Sequence, residues 1–270
     1  MQTETRDFSD LVIGDKKLGK GGYGDVYEGK WKTDEEKVAV KVMQLYDADK
    51  FQREIQILLS LPGHTNIISL RGIAYVGHEV YVITELAVNG SLYDNLHIEK
   101  NTPTVEQSLE WASDVAYGMK HLHDHDVIHR DLKSANVLLT SRWWAKVCDF
   151  GTARELTHTT TTQCAGTYRW MPPEMMRASS AKVNKKCDLY SYGMILFELF
   201  AHKKPYSDIH SDIEVATKVF SGQRPPIPPT LPQYLHKLIK NCWKENPRQR
   251  PTFDDFVHKI VSSRTKFMAL

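Results

Sequence analysis

The stretch that decides the fold is Val127-Ile-His129-Arg130-Asp131-Leu-Lys133-Ser134-Ala-Asn136-Val-Leu-Leu139, in which polar residues lie between two short apolar runs. Short apolar runs are typical of buried strands, so the polar residues are predicted to share the loop between them. Asp131 can orient a hydroxyl and accept its proton, Lys133 is a cation, and Asn136 offers an oxygen that suits magnesium. The stretch therefore has the groups that phosphoryl transfer requires.

A second polar motif follows in Cys148-Asp149-Phe150-Gly151. Asp149 adds another hard oxygen ligand, and Gly151 is predicted to give the backbone freedom to turn. Magnesium keeps several waters and takes only one or two protein ligands, so Asn136 and Asp149 suffice for a site.

A glycine-rich stretch near the N-terminus has the spacing G-x-G-x-x-G and reads Leu18-Gly19-Lys20-Gly21-Gly22-Tyr23-Gly24-Asp25-Val26. Dinucleotide-binding folds use the same spacing, but there the glycines open a helix, whereas both flanks here are typical of strands. We predict a flap between two strands, with Tyr23 at its tip and glycine backbone that approaches phosphate oxygens with positive φ. A hairpin without a ligand is the alternative.

A lysine in the next strand points toward the same site. In Val38-Ala39-Val40-Lys41 the alternation places Ala39 and Lys41 on one face, where a lysine needs an anion. Glu54 lies on the helix predicted to follow, so we expect a Lys41–Glu54 ion pair that holds the ammonium near phosphate. Two solvated charges are the alternative.

Composition limits the classes of function. The chain has 270 residues, 41% of them hydrophobic and 25% charged, and a formal net charge of +2, which gives no general attraction to nucleic acid or anionic membranes. The four cysteines show no zinc or disulfide spacing, which fits a reducing cytoplasmic location. There is no signal peptide, and the longest apolar run is too short to span a membrane.

The predicted elements change from strands to helices along the chain. Strands are predicted at residues 11–13, 24–29, 37–42, 67–73 and 80–83, with one helix around residues 51–59 that is capped by Asp47 or Asp49 and stopped by Pro62-Gly63. Helices are predicted up to about His123 and at residues 188–200, 211–220, 231–243 and 252–262. The proline-rich tract at residues 224–232 is interpreted as a connector between helices, with an extended ligand for an SH3-type module as the alternative.

These motifs, in this order, resemble the catalytic domain of eukaryotic protein kinases over residues 11–260, and their mixture resembles the tyrosine-kinase-like group. The resemblance implies an α+β, two-lobed protein kinase fold, with a small antiparallel β lobe containing one helix and a larger, mainly helical lobe. The implied domain covers residues 11–266, with the N-lobe at 11–86, the hinge region at 87–90 and the C-lobe at 91–266.

The resemblance also implies roles for individual residues. The catalytic residues would be Asp131, Lys133, Lys41 and Glu54, and the metal ligands would be Asn136 and Asp149. ATP would be bound by Leu18, Gly19, Lys20, Gly21, Gly22, Tyr23, Gly24, Asp25, Val26, Ala39, Lys41, Thr84, Glu85, Ala87 and Leu138. Structural roles would fall to His129, Arg130, Phe150, Glu174, Asp188 and Arg250, with Glu174 paired to Arg250. Pro173 and Tyr190 depart from the family's usual alanine and tryptophan.

The hydroxyl that such an enzyme would phosphorylate is indicated by short motifs. Lys133-Ser134 and Gly166-Thr167 resemble serine/threonine kinases, whereas Trp170-Met171, residues 89–92 and residues 188–193 are similar to tyrosine kinases. We expect transfer from ATP to serine or threonine of protein substrates, with Mg²⁺ as cofactor and Mn²⁺ as a substitute. Dual specificity, tyrosine specificity and an inactive kinase-fold scaffold are the alternatives.

A threonine cluster lies in the segment that the family uses as its activation loop. It consists of Thr157, Thr159, Thr160, Thr161 and Thr162. A phosphate there adds about −1.5 to −2 charge, enough to order a loop against Arg130 and Arg154. We expect phosphorylation, by an upstream kinase or by autophosphorylation, to raise activity; an unmodified polar loop is the alternative. The chain is expected to be a piece of a longer polypeptide.

Overall fold

The computed structural model describes residues 8–21, 24–44, 55–155, 168–177 and 183–258. Its N-terminal part is an antiparallel sheet with the strand order β1-β2-β3-β5-β4. The strands are β1 (Leu11–Gly21), β2 (Gly24–Trp31), β3 (Lys37–Gln44), β4 (Leu70–Val76) and β5 (Glu79–Glu85). Residues 55–60 are helical, and the predicted cap of that helix lies outside the described residues.

The alternation predicted for β3 is present. Val38 and Val40 are fully buried and pack with Trp31 and Ile83 on one face of the sheet. Ala39 and Lys41 therefore lie on the other face, which is the face that meets the rest of the site.

The C-terminal part is mainly helical. Its α-helices are α1 (Val105–Asp124), α2 (Pro173–Met176), α3 (Lys186–Ala201), α4 (Asp212–Phe220) and α5 (Gln233–Cys242), followed by helical residues 253–258. A short π-helix, Asp94–Ile98, precedes α1. The long helices agree with the sequence predictions to within two or three residues at the described ends. The predicted α+β, two-lobed architecture is thus confirmed, and no helix among the described residues is long and apolar enough to cross a membrane.

Side chains cap several helices at their N-termini. Thr104 and Ser211 accept hydrogen bonds from Gln107 N and Glu214 N at the starts of α1 and α4. The last helix begins with a capping box, because Thr252 Oγ1 accepts from Asp255 N at 3.1 Å while Asp255 Oδ2 accepts from Thr252 N at 3.0 Å.

The helical lobe is organised around α3, in which every residue from Cys187 to Ala201 is buried. Helix α1 packs against it, and two hydrogen bonds fix their relative position: Tyr192 Oη donates to Ala112 O at 2.7 Å, and Ser108 Oγ donates to Leu199 O at 3.3 Å. Such a helix, buried on all sides, belongs in the core of a large lobe.

Two short sheets hold the loops between the lobes. β6 (Val127–Ile128) pairs with β9 (Arg154–Glu155), and β7 (Val137–Leu139) pairs with β8 (Ala145–Val147). The residues that carry the predicted chemistry leave the ends of these strands, so two pairs of strands fix their positions.

The strand predicted at residues 67–73 is wrong in its bounds, because β4 begins only at Leu70. Ile67 and Ile68 are buried, and Ile68 N donates to Val147 O at 3.0 Å, while Val147 N donates to Asn66 O at 2.9 Å. These apolar residues pack on β8 of the helical lobe instead of joining the sheet. They form part of the junction between the lobes.

Gly118 makes that junction possible, and its replacement by alanine is expected to destabilise the protein by about 2 kcal/mol. A Cβ atom there would lie 2.5 Å from Asn66 O, so the Asn66 segment would have to move away from α1. Alanine is otherwise the better helix residue, by about 1 kcal/mol. Urea unfolding measures the effect. Gly63→Ala is the matched control, since a Cβ there meets nothing within 4 Å; equal stability of both variants would contradict the prediction.

Candidate active site

The loop after β6 brings three polar side chains together. Asp131 Oδ2 accepts hydrogen bonds from Lys133 Nζ at 2.7 Å and from Asn136 Nδ2 at 3.1 Å. Asn136 Nδ2 also donates to Asp131 O at 2.8 Å. The 3-10 turn Ser134–Asn136 folds the chain back so that the aspartate, the lysine and the amide meet.

The arrangement leaves oxygen atoms for another group. Within the described chain, Asp131 Oδ1 and Asp149 Oδ1 are buried and accept no hydrogen bond. Asn136 uses its amino group in both of its bonds, so its Oδ1 atom is not committed by them. Buried carboxylate oxygens are costly unless something binds them, and oxygen donors of this kind suit a hydroxyl or a divalent cation.

Lys41 approaches the same place from the sheet. Its Nζ atom lies 3.7 Å from Asp149 Oδ1, and both side chains are mostly buried. Burial alone would raise the pKa of Asp149, but the positive charges of Lys41 and Lys133 hold that pKa below its usual value. Asp149 is therefore ionised at neutral pH.

Two residues of the site have left-handed backbones. Arg130 has φ 69° and Asp149 has φ 64°, a conformation that costs a non-glycine residue about 1–3 kcal/mol. The sequence led us to expect the turn at Gly151, but the left-handed residue of that motif is Asp149. Strain at these two positions has to be offset by the surrounding hydrogen bonds.

Asp188, at the start of α3, supplies much of that offset. It is fully buried, and its carboxylate accepts from Arg130 N at 2.9 Å, from His129 N at 3.0 Å and from His123 Nε2 at 2.8 Å. Burial would raise the pKa of Asp188, yet the hydrogen bond and charge of His123 keep it below its usual value. The carboxylate thus fixes the backbone just before Asp131.

His129 joins the two polar motifs. Its Nδ1 accepts from Asp131 N at 3.3 Å, so its Nε2 carries the proton that is donated to Cys148 O at 3.0 Å. Its ring packs on that of Phe150, with centroids 5.5 Å apart. The residue is fully buried and holds Asp131 and Asp149 at a fixed separation.

The segment between the lobes carries the predicted adenine-binding residues. Thr84 lies opposite Ala39 in the register of β5 and β3, and Leu138 forms a bridge with Ser91. Among the described residues Ala87 N donates no hydrogen bond, while Ala87 O accepts from Gly90 N at 3.2 Å. A free N–H on this segment suits the ring nitrogen of a purine.

The glycine-rich strands form the predicted flap in part. Gly19, Lys20 and Gly21 pair with Val26, Asp25 and Gly24 between β1 and β2, and Leu18 is exposed. The predicted positive φ is absent at the described glycines of this stretch. Gly24 is needed for another reason, because a Cβ there would lie 2.0 Å from Val42 O.

The predicted ion pair between Glu174 and Arg250 is present in the helical lobe. Arg250 is bidentate to Glu174, with distances of 2.5 and 2.9 Å. Tyr190, which departs from the family pattern, lies between the guanidinium groups of Arg250 and Arg224, each 5.1 Å from its ring centre. Pro173, the other departure, begins α2 at a position where proline is favoured.

Some predicted residues lie outside the described residues. These are Gly22, Tyr23, Glu54, Thr157, Thr159, Thr160, Thr161 and Thr162, and only the backbones of Lys20, Gly21 and Arg154 are described. The Lys41–Glu54 pair and the phosphate contacts of Arg154 therefore stay predictions.

A buried carboxylate that was not predicted from the sequence, Glu198, also holds the catalytic loop. Glu198 accepts from Ser134 Oγ at 2.7 Å, from Trp170 Nε1 at 2.7 Å and interacts with His97 Nε2 at 2.8 Å. It ties the catalytic loop to the segment before α2. A glutamate inside an otherwise apolar helix was the available signal, because a buried charge needs partners.

Replacing Asp188 by asparagine is expected to lower stability at pH 7 by about 3 kcal/mol, since an amide cannot accept from both backbone N–H groups. Because the pKa of Asp188 is lowered by folding, its carboxylate stabilises the protein at neutral pH, and that contribution is lost as the pH falls below about 4. Thermal unfolding between pH 3 and 7 should thus show a weaker acid dependence in Asp188→Asn than in wild type. Exposed Asp208→Asn is the control, and a wild-type slope in Asp188→Asn would refute the assignment.

Comparison with known proteins identifies the family. The family model described as protein tyrosine and serine/threonine kinase matches residues 12–260. The chain is 37% identical over 260 residues to the RGS domain-containing serine/threonine-protein kinase A of Dictyostelium discoideum, covering 94% of this chain and 22% of that protein. It is 36% identical over 284 residues to the mitogen-activated protein kinase kinase kinase zak-1 of Caenorhabditis elegans, covering 97% and 37%.

A third relative differs in its named specificity. The dual specificity protein kinase pyk3 of Dictyostelium discoideum is 32% identical over 264 residues, covering 97% of this chain and 19% of that protein. The chain spans between 19% and 37% of the lengths of these three relatives. The resemblance seen in the motifs is confirmed over most of the chain, and the chain belongs to the family of protein tyrosine and serine/threonine kinases.

Proposed function

We propose that this protein transfers the γ-phosphoryl group of ATP to serine and threonine hydroxyls of protein substrates. The observation that carries the proposal is the meeting of Asp131, Lys133, Asn136, Asp149 and Lys41 at one place, where one oxygen of each aspartate accepts no hydrogen bond within the described chain. Relatives named as serine/threonine kinases support the choice of hydroxyl.

The side chains divide the reaction among them. Asp131 orients the substrate hydroxyl and takes its proton on the uncommitted Oδ1 atom, the hydroxyl oxygen bonds to phosphorus, and ADP leaves. Lys133, 2.7 Å from the same carboxylate, offsets the negative charge near the transferred group. Lys41 binds ATP phosphate, in a position kept by Asp149 and by the predicted pair with Glu54.

The cofactor is proposed to be Mg²⁺, held by Asn136 and Asp149, with Mn²⁺ able to replace it. The two oxygen donors agree with the small number of protein ligands that Mg²⁺ takes in phosphate sites. When bound, the ion neutralises the charge on the phosphates. The adenine would lie against Ala39, Thr84 and Leu138 and bond to the backbone of Glu85 and Ala87.

The kinase domain is proposed to cover residues 11–266 and to act in the cytoplasm on protein substrates. Dual specificity is the second candidate, favoured by the similarity to a relative named as a dual specificity kinase. An inactive scaffold is the remaining alternative, and the complete set of catalytic side chains argues against it.

Asp131→Asn is expected to lower kcat by about 10²–10⁴-fold, because the proton acceptor is lost, and Lys41→Met should also reduce transfer strongly. A phosphate-transfer assay with ATP and Mg²⁺ measures both, with Asp254→Asn as a remote control. Phosphoamino-acid analysis of the product should give phosphoserine or phosphothreonine. Unchanged transfer in both variants would overturn the site, and phosphotyrosine would establish dual or tyrosine specificity.

Replacing all five threonines of the predicted activation loop by alanine is expected to reduce activity by roughly 10–100-fold, the effect of losing one to three charge-assisted hydrogen bonds to arginine. Arg130 is the expected partner, and its backbone is already fixed by Asp188. Phosphatase treatment of wild type should produce the same fall and leave the five-alanine variant unaffected. Full activity of that variant would eliminate this mode of control. The five-alanine variant, mixed with Lys41→Met protein and ATP, distinguishes autophosphorylation from an upstream kinase. Phosphate on the activation-loop threonines of the Lys41→Met protein indicates autophosphorylation, and its absence indicates an upstream kinase.

A further inference from the structure

A cavity of about 560 Å³ lies in the helical lobe, between the loop that follows α4 and the C-terminal half of α5. All of its lining residues fall between Gly222 and Glu245. The lining shares no residue with the predicted ATP-binding, catalytic and metal-binding residues, which lie between Leu18 and Asp149. Its size is within the range of specific ligand sites, about 300–1,000 Å³.

The lining of this cavity is strongly basic. Arg224, His236, Lys240 and Lys244 face a single acidic side chain, Glu245. Glu245 is already engaged, because its Oε2 accepts from Arg224 Nη2 at 2.8 Å and its Oε1 lies 3.4 Å from the Nη2 atom of Arg177. The carboxylate of Glu245 thus neutralises the guanidinium groups of Arg224 and Arg177, and not the ammonium groups of Lys240 and Lys244.

Lys240 and Lys244 carry the excess charge. Within the described part of the chain, no carboxylate lies within ion-pair distance of either ammonium group. His236 and Lys240 are one helical turn apart on α5, and Lys244 follows just after that helix ends. Both lysines line the same cavity, so an anion bound there would be attracted by both ammonium groups.

The cavity is preformed. The Arg224 side chain is only 11% exposed, and it donates to Trp243 O and Val219 O at 3.2 and 3.1 Å. On the opposite edge, Arg250 donates from Nε to Lys244 O at 2.8 Å. These bonds fix both walls before any ligand arrives, so little ordering has to accompany binding.

The chemistry of the walls limits the class of ligand. Pro225, Pro226 and Ile227 form an apolar wall beside the lysines, which inorganic phosphate would leave unused. Trp243 is only 5% exposed and offers little face for stacking a base, which argues against a nucleotide. A formal net charge of +2 gives no general attraction to long polyanions. An extended peptide with an acidic and an apolar residue uses both walls.

We propose that this cavity is a docking site for an acidic peptide segment of a partner protein. A phosphate monoester or paired carboxylates bind Lys240 and Lys244, and an adjacent apolar side chain lies on the wall formed by Pro225 to Ile227. The site does not depend on the proposed phosphoryl transfer, since it shares no residue with the ATP site.

The test is fluorescence anisotropy at near-physiological salt with labelled nine-residue peptide libraries. The central residue is phosphoserine, a Glu-Glu pair or unmodified serine, and the flanking positions are degenerate. The protein carries Asp131→Asn so that no peptide is phosphorylated. We expect tighter binding of the phosphoserine or Glu-Glu library than of the serine library. Lys240→Glu/Lys244→Glu should weaken it about tenfold or more, the effect of removing charge-assisted contacts.

The matched control is Lys100→Glu/Lys237→Glu, which changes the net charge equally at exposed lysines that do not line the cavity. Should the charge-reversed pair fail to fold, Lys240→Ala and Lys244→Ala singly give the same comparison. Equal binding of all libraries, or equal loss in target and control variants, would overturn the proposal. A different result would also overturn the proposal: the peptide is displaced by millimolar inorganic phosphate, and the libraries show no preference for apolar flanking residues. The cavity would then be an anion site and not a peptide-docking site.

Discussion

The catalytic geometry depends on the buried carboxylate of Asp188. Its two oxygens hold the N–H groups of His129 and Arg130, and this contact keeps Arg130 in a left-handed conformation that it would not adopt alone. Asp131 follows directly, so the hydrogen bonds of Asp188 to His129 and Arg130 also determine the position of Asp131 relative to Lys133 and Asn136. A buried carboxylate with several hydrogen bonds is stable, whereas the same group without them would cost several kcal/mol.

The second requirement is that the two lobes keep Lys41 within reach of Asp149. Just before β4 begins, Asn66 O and Ile68 N are hydrogen-bonded to Val147 of β8, and Ile67 forms a bridge with the same residue. Val147 lies two residues before Asp149. The close approach of Gly118 to Asn66 O lets α1 support this attachment from below. The distance between Lys41 and Asp149 thus depends on backbone contacts between the lobes that involve no catalytic residue.

The sequence predicted the helices and the catalytic loop because both are determined locally, by helical periodicity and by polar residues flanked by apolar strands. It misplaced the strand before Leu70, since Ile67 and Ile68 are equally apolar whether they face a sheet or the other lobe. The left-handed backbone of Asp149 was also not predictable from the local Asp-Phe-Gly sequence, since the preceding residue, Cys148, is held by hydrogen bonds to Asn136 O and His129 Nε2. The close contact of Gly24 with Val42 O likewise depends on strand pairing.

Helix α3 explains why so many buried charges are compatible with one stable lobe. Asp188 at its start and Glu198 near its end each bind the catalytic loop, at residues 129–130 and at Ser134. Between them, the ring of Tyr190 contacts the guanidinium groups of Arg250 and Arg224. Arg250 binds Glu174, and Arg224 binds Glu245. The carboxylates of Asp188 and Glu198 each accept hydrogen bonds from more than one element. Displacement of the catalytic loop would therefore leave buried charges without some of their partners. The burial of these charges therefore makes a single arrangement of the catalytic loop far more stable than its alternatives.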